Sequence, residues 1–195
     1  MERILLAGAT GYLGSFILQQ LIKQNTAVSV IARNPEKLKH VKSNLVSIIK
    51  AEVTKPESLA GCCRDIDVAI STVGITRQKD GLTYMDVDYQ ANMNLLAEAK
   101  KCGVKKFIYI SVLNGEKLKN LKICEAKEKF VDALKSSGLN YCVIRPGGYF
   151  SDMREFYQMA QKGRVYLFGK GNCKINPIHG IDLAGVCLDA IKNGS

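Results

Sequence analysis

The 195-residue chain has no long apolar run, no paired-cysteine motif and few acidic residues. The first absence excludes a membrane-spanning helix, which needs about 20 consecutive apolar residues. A strand-like run follows Met1-Glu2-Arg3 directly, so no secretory leader is expected. The expectation is a cytoplasmic protein without membrane insertion. Seven cysteines are scattered along the chain, none at C-x-x-C spacing, which argues against a structural zinc site or a disulfide framework. Adjacent Cys62 and Cys63 cannot readily bridge each other. The cysteines are expected to be reduced and several to serve as small core residues, with a redox-sensing thiol as the alternative. No metal is expected. Asp and Glu number 18 against 28 Lys and Arg, a net charge of +10. That balance favours an anionic ligand. Nucleic acid is not expected, because no basic stretch is interleaved with aromatics.

What is present is an alternation of short Val- and Ile-rich runs with helical patterns. Strands are expected at Arg3–Ala7, Ala27–Ala32, Leu45–Ile49, Val68–Ser71, Phe107–Ser111 and Tyr141–Ile144. Helices are expected at Tyr12–Gln24, Pro35–Lys39, Pro56–Cys63, Met85–Lys101 and Cys124–Ser136. The rhythm is βαβ and implies an α/β protein: a three-layer, doubly wound parallel sheet of Rossmann type, with strand order 3-2-1-4-5-6. Residues 1–195 read as a single domain. Over 151–195 the rhythm changes, to a helix at Asp152–Gln161, a strand at Val165–Phe168, an extended Cys173–Pro177 and a helix at Ile181–Ile191. This part is expected to form a short, partial substrate-side region.

The run Ile4-Leu5-Leu6-Ala7-Gly8-Ala9-Thr10-Gly11-Tyr12-Leu13-Gly14 joins a buried strand to a helix through three glycines. Gly8 permits the tight turn, Gly11 a close approach of backbone to phosphate, and Gly14 close packing of helix on strand. The helix start at Tyr12 then offers its N–H groups and positive dipole end to a diphosphate. This predicts a dinucleotide cofactor. Where NAD would need an acidic residue after the second strand, Arg33 stands, with Lys37 beyond it. A guanidinium there grips a 2′-phosphate, so NADP(H) is preferred to NAD(H); an ordinary surface arginine is the alternative. The other strand ends supply Glu52 and Val53, Thr72, Val73 and Gly74, Ser111, and Pro146, Gly147, Gly148 and Tyr149.

The glycine run, Arg33-Asn34-Pro35-Glu36-Lys37-Leu38, Asp86-Val87-Asp88-Tyr89-Gln90-Ala91-Asn92 and Arg145-Pro146-Gly147-Gly148 resemble the atypical short-chain dehydrogenase/reductase superfamily. The nearest group is NmrA-like and related to divinyl chlorophyllide reductases. The resemblance implies cofactor contacts at Gly8, Thr10, Gly11, Tyr12, Leu13, Arg33, Thr72, Gly74, Lys127 and Pro146–Tyr149; Asn92 is included from the matching motif. It also implies a chain continuing for about another 100 residues, so that a truncated form and a minimal pocket are alternatives. The superfamily's Tyr-x-x-x-Lys pair survives only as Lys127, which would position the nicotinamide ribose. Ile123 stands at the tyrosine position, and Leu113 where a Ser or Thr is usual. Tyr84, Tyr89, Tyr149, Asp152 and His179 are the replacement acids to consider, with Tyr149 foremost. The expected function is an NADPH-dependent reductase of a small or planar organic acceptor. The alternative is a non-enzymatic NADP(H)-sensing regulator or assembly factor that binds a protein partner.

Overall fold

A computed structural model describes residues 2–75, 81–167, 169–172 and 174–192. Six strands form one parallel sheet: β1 (Ile4–Ala7), β2 (Val28–Ala32), β3 (Val46–Lys50), β4 (Val68–Ser71), β5 (Lys106–Ile110) and β6 (Asn140–Ile144). Their order is β3-β2-β1-β4-β5-β6, as expected. The helices are α1 (Tyr12–Lys23), α2 (Asn92–Lys101), α3 (Lys122–Lys135), α4 (Met153–Gln161) and α5 (Gly180–Lys192). Successive side chains of a strand point to opposite faces, so each apolar strand feeds two cores. Ile4, Leu6, Val28, Val30, Ile70 and Ile108 join α1 and α5 on one face. Leu5, Ala7, Ile31, Ala69, Phe107 and Tyr109 join α2 and α3 on the other. The chain order reverses direction at β1, flanked by β2 and β4, and ligands of such sheets lie at the carboxyl ends of the strands at this switch point.

The C-terminal expectation divides in two. α5 is part of the core. Leu183, Ala184, Cys187, Leu188 and Ile191 bury against α1 and complete one helical layer. Tyr12 anchors its start, the hydroxyl accepting the Gly180 N–H at 3.2 Å. α4, by contrast, has no buried residue. No strand forms at 165–167, which are exposed; a three-residue segment with no neighbouring ladder leaves its backbone to water. Phe168 and Cys173, which the sequence places in a strand and an extended run, lie outside the described residues. Residues 174–177 belong to no strand, and Ile178 alone makes a bridge to Tyr149.

The expected helix Met85–Lys101 is interrupted. Met85–Ala91 is π-helical, and α2 begins only at Asn92. A π turn leaves carbonyls without their usual i+4 donors. Buried Asn92 supplies the missing donor: its Nδ2 reaches the carbonyls of Val87 at 3.2 Å and Asp88 at 3.0 Å, and also that of Val73 at 3.3 Å. Its Oδ1 accepts the Ser71 hydroxyl. One side chain thus fixes the end of β4 and turns Asp88 inward. Among the described residues no cysteine is disulfide-bonded; Cys62 and Cys63 lie buried with their sulfurs 3.7 Å apart.

Candidate functional site

Two hollows of about 360 Å³ each lie side by side over the carboxyl ends of the strands. The first is bounded by Gly8, Thr10 and Gly11 of the β1–α1 turn, Arg33 after β2, Glu52 and Val53 after β3, and Thr72, Val73 and Gly74 after β4. Ile75, Leu82 and Val87 close it with apolar surface. The second is bounded by Tyr12, Leu13 and Gly14 of α1, Ser111 after β5, Ile123 and Lys127 of α3, and the Pro146–Tyr149 turn. Gly11, Thr72, Gly74 and Ile75 border both, so the hollows are two chambers of one cleft.

The cleft is shaped for a long anionic ligand. Gly8 sits at φ +92°, where a Cβ would strike the Thr72 side chain. Gly14 lies against the Gly8 carbonyl so closely that a Cβ would fall 2.7 Å from the Gly8 carbonyl carbon. Strand and helix therefore meet with no side chain between them. Gly11 precedes α1 in an extended conformation, no side chain caps that helix, and no acidic residue occupies its first turn. The orphan N–H groups and positive end of α1 are left to the waist of the cleft, which is what a diphosphate requires. A dinucleotide, with a nucleotide unit on each side of a diphosphate, matches two chambers joined at a helix start.

The structure brings almost all the expected cofactor residues to this cleft, with two exceptions. Lys37 borders a separate hollow with Ser15, Gln19 and His40. The Pro35–Leu38 turn is 3₁₀ rather than α-helical, which rotates Lys37 away from the chamber of Arg33. Asn92 is wholly buried behind β4 and reaches neither chamber; its amide is taken up by the π turn. Arg33 stands at the rim, its Nη1 4.0 Å from Glu52 Oε1 and its side chain 64% exposed. The hydrogen bond from Lys55 holds the Glu52 carboxyl below its usual value, with a further contribution from Thr54.

In the second chamber, Lys127 points its Nζ at Asp88 Oδ1, 2.8 Å away. The approach is off the line of a hydrogen bond, so Oδ1 is a buried oxygen facing a cation without a hydrogen-bond donor. Oδ2 accepts the Ile75 N–H at 3.2 Å. The Tyr109 ring lies 5.5 Å below the same ammonium. Ser111 turns its hydroxyl to Glu128 Oε1 at 2.8 Å, and Glu128 also takes both arms of the Arg145 guanidinium. The serine is thereby held in a structural network.

Of the candidate acids, Tyr149 and Asp152 border the second chamber. Tyr149 packs edge-on against Tyr12 at 5.2 Å, and burial pushes its hydroxyl up to about 12. It stays protonated at neutral pH. Asp152 Oδ2 accepts the Tyr149 backbone N–H. His179 is a helix cap: its Nδ1 accepts the Ile181 N–H at 3.2 Å and its ring packs on Phe16. Tyr89 lies under Lys129, and neither it nor Tyr84 borders the cleft. Ile123 does border the second chamber, so an alkyl group occupies the place where a tyrosine was sought.

Asp88 is the site residue that reading the sequence missed. It lay within a quoted motif, but an aspartate four residues before Asn92 gives no sign that a π turn aims it at Lys127. Tyr109 was hidden likewise, as one aromatic in a buried strand.

Comparison with known proteins agrees with this geometry. The family described as NAD(P)H-binding matches residues 8–194. The photosystem II assembly factor Ycf39 of Cyanophora paradoxa is 32% identical over 150 residues, covering 77% of this chain and 46% of that protein. The chloroplastic divinyl chlorophyllide a 8-vinyl-reductase of Cucumis sativus is 28% identical over 206 residues, covering 96% of this chain and 49% of that one. The chain thus spans about half the length of these relatives. In fold it resembles the NADPH-dependent quinone oxidoreductase of Escherichia coli complexed with NADPH, with a TM-score of 0.83 and 23% identity over 98% of this chain and 65% of that one. Among the described residues, no helix is long and apolar enough to cross a membrane. With its glycine turn, open helix start and double cleft, the chain belongs to the NAD(P)H-binding family of the atypical short-chain dehydrogenase/reductase, NmrA-like type.

Proposed function

We propose that this chain binds NADP(H) in preference to NAD(H) and acts as a reductase of a small or planar organic acceptor. The observation that carries the proposal is the double cleft: a basic rim at Arg33 in one chamber, a bare helix start at the waist, and Lys127 with the Pro146–Tyr149 turn in the other. The adenosine half would lie in the first chamber, between Val53 and the apolar wall of Ile75, Leu82 and Val87. Arg33 would receive the 2′-phosphate. Lys127 and the Pro146–Tyr149 backbone would orient the nicotinamide ribose. When bound, NADPH supplies a hydride from the nicotinamide. This chain's own part is to hold the acceptor over Gly147 and Ile123 and to donate a hydrogen bond from Tyr149. An activated alkene or quinone takes hydride at an electrophilic carbon or ring and needs less proton help than alcohol oxidation, which suits a site without the usual tyrosine. The relatives named as reductases, and the fold neighbour named as an NADPH-dependent quinone oxidoreductase, support this reading.

A second reading rests on Ile123 and on Ser111, whose hydroxyl Glu128 holds. A cleft without a tyrosine–serine proton system suits a non-enzymatic NADP(H)-dependent regulator or assembly factor. Ycf39, named as an assembly factor, supports it. Turnover separates the two. Purified protein is mixed with NADPH and a panel of quinones, enones and aldehydes, and NADPH absorbance is followed. Oxidation well above a heat-denatured control supports the reductase. Tight binding of both NADP⁺ and NADPH with no oxidation on any acceptor favours the regulator.

The cofactor preference has its own test. Arg33→Ala should weaken NADP⁺ binding by about 1.5 kcal/mol, roughly tenfold, the low end for a charged hydrogen bond because the side chain is largely exposed. NAD⁺, which lacks the 2′-phosphate, should bind as before. Titration calorimetry with both coenzymes reads the difference. Equal losses would remove Arg33 from the 2′-phosphate site.

A further inference from the structure

We infer that Asp88 is a specificity-determining residue that cancels the charge of Lys127 in the nicotinamide chamber, so that the ammonium does not bias the cleft between NADP⁺ and NADPH. This inference rests on the reading of the second chamber as the nicotinamide site.

The geometry is particular. Asp88 is fully buried, and Lys127 is 13% exposed where it meets the chamber. Asp88 Oδ1 faces the ammonium at 2.8 Å but receives no hydrogen bond. Gly74 lies directly against this pair and borders both chambers: a Cβ there would stand 2.6 Å from Asp88 Oδ1 and 2.9 Å from Lys127 Nζ. The carboxylate and ammonium are thus within one residue's thickness of the ligand space. Three features hold Asp88 in place. Its Oδ2 is tied to the Ile75 N–H, its own carbonyl is tied to Asn92, and the π turn sets the direction of its side chain.

A buried carboxylate costs desolvation energy, which the facing Lys127 ammonium, itself only 13% exposed, offsets in part. A neutral Asn or Ser at residue 88 would carry less desolvation cost of its own, but would leave the ammonium of Lys127 unbalanced beside the chamber. The charge has a chemical use when the ligand changes charge. The oxidised nicotinamide ring carries one positive charge and the reduced ring carries none. An unbalanced ammonium beside the ring would repel the oxidised form and bias the cleft toward the reduced one. Asp88 cancels that bias. The other charged groups at this chamber among the described residues are the same in every variant compared. Asp152 borders it, and Glu128 and Arg145 satisfy each other.

Calorimetry on the full chain with NADP⁺ and with NADPH reads the affinity ratio for each variant, and thermal unfolding confirms that each is folded. Asp88→Asn leaves the ammonium unbalanced and should lower NADP⁺ affinity relative to NADPH by about tenfold, the size expected for one unit charge in a cleft partly open to solvent. Asp88→Asn combined with Lys127→Met removes both charges and should return the ratio to that of the wild type. A purely structural role for Asp88 predicts the reverse pattern: the ratio stays constant and the second substitution rescues nothing. Should Asp88→Asn fail to fold, the double variant and Lys127→Gln carry the test. Lys127→Gln leaves the carboxylate alone and should shift the ratio toward NADP⁺. A ratio that is unchanged in a folded single variant overturns the inference. If wild-type protein binds neither coenzyme, the proposed function itself fails, which is a different result.

Discussion

Gly14→Ala should lower stability by about 3 kcal/mol, at the upper end for forcing a methyl group into a packed site. In a chain of this size that corresponds to a fall of roughly 6–12 °C in the thermal midpoint. A Cβ at residue 14 would meet the Gly8 carbonyl group and lie 2.9 Å from Ala9 Cα, all of it backbone. A flexible side chain could swing aside, but a peptide unit at the end of a buried strand cannot. Relief requires α1 to lift from β1, which pulls Leu13, Ile17 and Leu18 out of the core they share with α5. The same lift moves the open helix start away from the waist of the cleft. Coenzyme binding should therefore fall along with stability, even though residue 14 adds no charge. Gly11→Ala is the contrast. Its Cβ would come no nearer than 3.3 Å, to the Gly8 carbonyl oxygen, and Gly11 borders both chambers of the cleft. It should cost binding with little effect on the midpoint. If Gly14→Ala melts within about 2 °C of wild type, the close strand–helix contact is not what fixes the cradle.

This contrast bears on how much could be read from the sequence. The sheet order followed because the short Val- and Ile-rich runs alternate with helices and the glycine-rich first turn marks a doubly wound sheet. The glycine turn was legible because each of its glycines answers a separate steric demand. Strand boundaries moved by a residue or so: Lys106 belongs to β5 and Ser111 lies beyond it. Their ends are set by partner register, which no single segment encodes. The helix over Met85–Lys101 went wrong in a more informative way. Periodicity ran through it unbroken, and the π turn at its start is held by Asn92 reaching carbonyls on two elements. That is tertiary bonding, invisible to a pattern read along the chain. The placement of Asp88 follows from the same event.

The C-terminal part shows the opposite failure. Val165-Tyr166-Leu167 has strand composition, yet all three residues are exposed and unpaired. Strand propensity is largely a measure of fit to a half-buried pleated surface, and no sheet edge is offered here. α4 likewise has an amphipathic pattern and no buried residue. By contrast the apolar residues Leu183, Cys187, Leu188 and Ile191 of α5 fit the groove beside α1. Packing decided its location.

The buried Glu128–Arg145 pair yields the other large effect. Glu128 sits in α3 with its side chain 3% exposed and takes the Arg145 guanidinium on both oxygens, the Nη2–Oε2 contact being 2.7 Å. Burial pushes the Glu128 carboxyl up, but hydrogen bonds from Arg145 and Ser111 and the charge of Arg145 outweigh it, so the group titrates below the usual glutamate value of 4.5. Glu128→Ala removes the partner of Arg145 and of Ser111 together. Losing one member of a buried ion pair costs about 3–5 kcal/mol, and the lower figure applies here because Arg145 keeps Glu116 at 3.2 Å and some solvent. Arg145 precedes Pro146, so the loosened strand end carries the Pro146–Tyr149 turn with it. The pH dependence fixes the sign. A carboxyl whose folded value is depressed stabilises the protein fully above its unfolded value, and that contribution fades as pH falls through the lower, folded value. Wild-type stability should therefore decline below about pH 4.5, and the decline attributable to this group should be absent in Glu128→Ala and Glu128→Gln. Urea unfolding measured from neutral pH down to pH 3 shows the difference between the two curves narrowing with acid. Parallel curves across that range would mean that Glu128 carries no more charge-dependent stability folded than unfolded. The network around Ser111 would then owe its rigidity to packing alone.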